Sequence, residues 1–193
     1  MEQLKNEKLT VTISAHGAEL QSIKNAEGRE YLWQGDEKYW PRRSPLLFPI
    51  VCGLWKDEYR VDGRTFNLPR HGFARDMDFE VVEKSDTSVT YTLESSPETR
   101  EVYPYDFELD VTYILNDDAI SVIWSVKNTG KQEMHFQIGG HPAFNLPGVA
   151  EGDKMHGSIL FDNVEPLTRI IGNTGGCIKP ERYELKTDRQ VWN

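Results

Sequence analysis

One pattern dominates the chain: apolar and polar residues alternate with a period of two. Phe107, Leu109, Val111, Tyr113 and Leu115 alternate with Glu108, Asp110, Thr112 and Ile114, and then Ile120, Val122, Trp124 and Val126 alternate with Ser121, Ile123, Ser125 and Lys127. A helix would scatter these side chains around its circumference, whereas an extended strand puts every second one on the same face. Asn116-Asp117-Asp118-Ala119 separates the two runs, and Asn and Asp bend readily because their side chains bond their own backbone. The pattern predicts a β-hairpin over residues 107–127 with Val111, Tyr113, Val122 and Trp124 turned into the core.

The same period recurs at residues 9–13, where Leu9, Val11 and Ile13 alternate with threonines. Shorter strand candidates lie at 18–23, 30–33, 59–61, 78–84, 88–94, 134–138 and 157–161. Helix is scarce. The one good candidate runs over 97–103, with Ser96 as N-cap, Pro97 at the first helical position, Glu98 near the positive end of the dipole and Pro104 as the stop. Many short strands without helical crossovers predict an all-β protein of packed antiparallel sheets. A length of 193 residues, with no repeat or linker, predicts a single domain over 1–193.

The formal net charge is −9, and no run of basic residues offers phosphate neutralisation, so nucleic acid is excluded as an expected partner. No apolar stretch approaches the roughly 18 residues of a membrane span, and the first ten residues lack a signal-peptide core. The expectation is a cytoplasmic protein without a membrane partner. Cys52 and Cys177 stand far apart and outside any Cys-x-x-Cys pattern, so both read as ordinary thiols.

Three segments could carry chemistry. In Trp40-Pro41-Arg42-Arg43-Ser44-Pro45-Leu46-Leu47-Phe48-Pro49, prolines stiffen a loop around adjacent arginines; these can serve either as forks for hydroxyls, carboxylates or phosphates or as solvated charges. In Pro69-Arg70-His71-Gly72-Phe73-Ala74-Arg75, small Gly72 and Ala74 allow close backbone approach beside a titratable His71 and a fixed cation, Arg75; a structural histidine in a turn fits the same pattern. In Met134-His135-Phe136-Gln137-Ile138-Gly139-Gly140-His141-Pro142-Ala143-Phe144-Asn145, strand parity sets His135, Gln137 and His141 opposite Met134, Phe136 and Ile138, with His135 read as a surface or cross-strand residue. Trp40 or Trp55 could stack on a sugar ring or simply cap the sheet. The separations of His71, His135, His141 and His156 match no metal motif. Gly-rich phosphate loops and the common hydrolase motifs are absent from the sequence.

Taken in order, Gly17-Ala18-Glu19-Leu20, Trp33 and Trp40, Arg42-Arg43-Ser44-Pro45 with Leu47-Phe48-Pro49, His71-Gly72-Phe73-Ala74-Arg75, Tyr103-Pro104, Val126-Lys127-Asn128 and Gly140-His141-Pro142-Ala143-Phe144-Asn145 resemble the aldose 1-epimerase (galactose mutarotase) family, in its branch of sugar mutarotase-related bacterial proteins. The resemblance runs from about Leu9 to Asn145, more loosely to Phe161. It implies a β-supersandwich of two large antiparallel sheets holding a small-molecule sugar, and interconversion of hexose anomers by general acid/base catalysis. It implies no cofactor, because every step is a proton transfer. By motif position it makes His141 the general acid, His71 the second histidine that steadies the ring oxygen or a hydroxyl, and Arg42 or Arg43 with Arg75 the holders of substrate oxygens. A hexose-6-phosphate mutarotase and a non-catalytic carbohydrate-binding domain are the alternatives. The family's glutamate base belongs to a later segment than any here, and neither Glu181 nor Glu184 stands in a matching context, so the chain is expected to be a C-terminally truncated form of the domain.

Overall fold

The computed structural model describes residues 1–146, 148, 157–160, 167–172, 178–185 and 189–192. It comprises two compact units, Met1–Asn145 and Leu146–Asn193.

The first unit begins with a three-stranded antiparallel sheet of β1 (Glu2–Lys5), β2 (Leu9–Ile13) and β3 (Leu20–Asn25), in that order. The alternation in β2 is real: Leu9, Val11 and Ile13 are buried while the threonines between them are half-exposed. β4 (Leu46–Leu47) is a short buried strand in the arginine-bearing loop. β5 (Glu58–Val61) and β6 (Arg64–Asn67) form a hairpin whose two turn residues, Asp62 and Gly63, both have positive φ, +48° and +75°. That is the Asp-Gly type I′ turn, which matches the twist of its strands.

A second sheet holds β7 (Glu80–Lys84), β8 (Ser88–Glu94), β9 (Phe107–Asn116) and β10 (Ala119–Asn128), ordered β10-β9-β8-β7, with α1 (Pro97–Val102) between β8 and β9. The predicted hairpin is β9–β10, in register from Phe107 opposite Asn128 to Asn116 opposite Ala119, and Asp117 takes φ +55° at its tip. The predicted helix ends one residue early and carries a capping box: the Ser96 hydroxyl accepts from the Thr99 N–H and the Thr99 hydroxyl accepts from the Ser96 N–H. The two sheets share one core, in which Leu4, Val11 and Ile13 meet Val89, Tyr91 and Val111. Buried Tyr113 satisfies its hydroxyl by donating to the Ala18 carbonyl at 2.7 Å. β11 (Gly139–Gly140) pairs antiparallel with β4.

In the second unit β12 (Gly157–Leu160) pairs antiparallel with β15 (Arg189–Trp192), and β13 (Leu167–Gly172) pairs with β14 (Ile178–Leu185). Phe161, His156 and Cys177 lie outside the described residues. Among the described residues no helix is long and apolar enough to cross a membrane.

Three expectations are corrected. Val122 and Trp124 are not core: they are 39% and 38% exposed, because β10 is the last strand of its sheet and, unlike their buried register partners Tyr113 and Val111, they have little of the first unit over them. Residues 134–138 form no strand. Gln137 instead bonds Pro49 and Val51 across a loop, so the alternation there does not reflect a ladder. Residues 30–33 make isolated bridges rather than a strand, because Glu30 turns its carboxylate onto the N–H groups of Ile23 and Leu32.

Candidate functional site

The arginine-bearing loop is the rail on which the site is assembled. Glu19 fixes its start: one carboxylate oxygen accepts the backbone N–H groups of both Arg43 and Ser44, at 2.9 and 2.8 Å. Along one side runs the histidine segment of β11, with Gly139 and Gly140 opposite Leu47 and Leu46, the His141 N–H donating to Pro45, and the Ala143 N–H donating to Arg43. Along the other side runs the second histidine segment. Gly72 forms a parallel bridge with Phe48, and the Phe48 carbonyl accepts from the Phe73 and Ala74 N–H groups. Gly72 is required there, since it has φ +69° and a β-carbon would fall 2.2 Å from the Phe48 carbonyl oxygen.

This arrangement brings His71 and His141 together, with ring centroids 6.2 Å apart. Trp40 lies against the open side of His141, with centroids 5.1 Å apart, and its own carbonyl is held by the indole N–H of Trp33. His141 is exposed, between Gly140 and Pro142. His71 is half-buried, and its pKa is lowered first by burial and then by the charges of Arg75, His141 and Arg70.

The arginines divide. Arg42 donates to Asp76 at 2.6 Å, and Arg75 lies 3.4 Å from the other oxygen of that carboxylate while donating to the Arg70 carbonyl at 2.8 Å. Asp76 thus holds Arg42 and Arg75 side by side. Arg43 instead packs its guanidinium against Gly35, and its Nε, like that of Arg75, is buried with no hydrogen-bond partner among the described residues. Arg42, not Arg43, therefore shares the Asp76 carboxylate with Arg75. His135 and Trp55 are exposed, and neither contributes a ring contact to the cluster among the described residues. Asp76 and Glu19 act here by holding others. The position of Glu19 in its motif was a signal for it, whereas the adjacency of Asp76 to Arg75 said nothing about Arg42.

A groove of about 950 Å³ also opens on the first unit. Its walls include Leu20, Ile23, Tyr113, Val122, Trp124 and Phe144, and neither His71, His141, Arg42 nor Arg75 lines it. Glu7, Lys8, Asn25, Glu27 and Asp118 also line it, so it is a mixed groove separate from the histidine pair and its arginines.

Two antiparallel sheets carrying a histidine pair and an arginine-bearing loop define a galactose mutarotase-like β-sandwich. Close structural relatives share it: the galactose mutarotase-related enzyme from Lactobacillus acidophilus is 36% identical with a TM-score of 0.91, over all of this chain and 65% of that one. The galactose mutarotase-like protein from Lactobacillus casei is 37% identical with a TM-score of 0.88, over 99% of this chain and 67% of that one. The chain belongs to the aldose 1-epimerase family, whose sequence profile matches residues 2–160. It is 42% identical over 171 residues to the chromosomal LacX protein of Lactococcus lactis subsp. lactis, an alignment covering 84% of this chain and 56% of that protein. The chain therefore spans little more than half the length of this curated relative.

Proposed function

We propose that the protein binds a hexose at the His71–His141 cluster and acts on it as an aldose 1-epimerase. The observation that carries this reading is the convergence of the two imidazoles, 6.2 Å apart, beside the Arg42–Asp76–Arg75 group. Anomer exchange begins when an acid protonates the ring oxygen and a base removes the C1 hydroxyl proton; the C1 to ring-oxygen bond breaks, C1 becomes an aldehyde, and rotation about C1–C2 precedes closure on either face. His141 is exposed on a stiff turn and packed at a tilt against Trp40, and it is the acid in this reading. His71 hydrogen-bonds the ring oxygen or a hydroxyl. Arg42 and Arg75 hold sugar oxygens.

One observation favours a second reading, a sugar-binding module without turnover. Asp76, the carboxylate in contact with the arginines, is already held by both of them and serves as a counter-ion rather than a base. Polarimetry on freshly dissolved α-glucose and α-galactose separates the two, with isothermal titration on the same sugars and on a hexose 6-phosphate. In the enzyme reading His141→Asn leaves sugar binding intact and slows exchange about 10²- to 10⁴-fold. Binding without acceleration over buffer gives the module reading. Absence of both removes the site.

A further inference from the structure

His71 sits at the third position of a turn closed by the Gly72 N–H donating to the Pro69 carbonyl at 2.9 Å, and its φ is +70°. A residue with a β-carbon is disfavoured in this left-handed region, so something must hold it there. Cys52 does so twice. The His71 N–H donates to the Cys52 carbonyl at 2.8 Å, and the Cys52 N–H donates to the His71 ring at Nδ1, at 3.0 Å. Cys52 is itself left-handed, with φ +68°, which aims its N–H back at the ring.

A backbone amide can donate and cannot accept, so Nδ1 must present a lone pair. The single proton of the neutral ring is then on Nε2. A second proton, on Nδ1, would set two N–H groups against each other. We propose that Cys52 is a positioning residue whose backbone fixes His71 as a neutral Nε2–H donor, so that His71 gives a hydrogen bond to a substrate oxygen and takes no part in proton exchange.

The surroundings act in the same direction. The charged and titratable groups acting on the ring are Arg75, Arg70 and His141, and each disfavours a further positive charge, in addition to burial. The two imidazoles are therefore not interchangeable. To act as an acid His71 would have to give up its only ring proton and become an imidazolate, whereas among the described residues nothing hydrogen-bonds the His141 ring. The sugar as acceptor rests on the function proposed above; the tautomer does not.

The test is a two-bond ¹H–¹⁵N correlation spectrum of the imidazoles in the ¹⁵N-labelled 193-residue chain, with His71 assigned by the signals lost in His71→Gln. One tautomer is expected at neutral pH, with unprotonated Nδ1 and protonated Nε2, persisting as the pH falls below about 6.5, the ordinary histidine midpoint. Cys52→Gly, which keeps the amide and tolerates the positive φ, should give the same signature. Protonated Nδ1, a mixture of tautomers, protonation at or above the ordinary midpoint, or loss of the signature in Cys52→Gly overturns the proposal. On titration with galactose or glucose the Nε2 signal should move, and His71→Leu should lose affinity about fivefold to tenfold while His71→Gln, which retains a donor amide, loses less. An intact tautomer with no response to either sugar supports the fixed donor and overturns the sugar as its acceptor.

Discussion

Replacing Gly72 with alanine tests the joint between the two halves of the site. The added β-carbon would lie 2.2 Å from the Phe48 carbonyl oxygen, 2.5 Å from its carbon and 2.7 Å from Pro49 Cδ, so the backbone must separate. The positive φ costs roughly 1–2 kcal/mol and the forced overpacking roughly 1–3 kcal/mol more, for a total of about 2–5 kcal/mol. For a chain of this size that lowers the Tm by roughly 2–4 °C per kcal/mol. Gly28→Ala is the control: its φ is +83° but nothing lies within 4 Å of the added carbon, so it carries the conformational cost alone. Urea unfolding of both variants, followed by tryptophan fluorescence and circular dichroism, isolates the steric part as their difference. Equal losses in Gly72→Ala and Gly28→Ala would refute the close approach of the two segments. Because Gly72 follows His71 directly, Gly72→Ala should also weaken sugar binding, whereas Gly28→Ala should leave it unchanged.

Glu19→Ala leaves the Arg43 and Ser44 N–H groups without their acceptor and should cost about 1–3 kcal/mol in urea unfolding, with Glu19→Gln losing less because it keeps an oxygen in place; equal stability of Glu19→Ala and wild type would refute the clamp. Trp124→Ala should cost about 1–2 kcal/mol, below the roughly 3–5 kcal/mol of a fully buried aromatic, since Trp124 is 38% exposed; a larger loss would mean that its ring is covered. The lowered pKa of His71 means that the unfolded chain binds its proton more readily, so this group's contribution to stability is present above about pH 6.5 and declines as the pH falls through that value towards the folded pKa. Denaturant midpoints at about pH 5 and pH 7.5 should therefore differ less in His71→Gln than in the wild type; an unchanged difference would assign the effect to other groups.

What the sequence by itself determined was local. The alternation in β9, the Asn-Asp turn that pairs it with β10 and the capping of α1 each depend on interactions within a few residues, and all three appear in the structure. The β5–β6 hairpin was legible on the same terms, since Asp62-Gly63 is a strong turn signal, although only its first strand was expected. Family membership was legible as well, because it lies in the order of short motifs.

The tertiary structure decided what those motifs do to one another. Residues 134–138 alternate like a strand but pair with a loop, and Trp124 alternates inward on a sheet that ends at its own strand, so parity did not predict burial. No spacing shows that Arg42 rather than Arg43 meets Asp76, or that Cys52 faces the Nδ1 of His71 across nineteen intervening steps of chain. Period and propensity act over a few residues of backbone, whereas ion pairs and tautomers depend on contacts between segments distant in sequence, and those distances exist only once the sheets have packed.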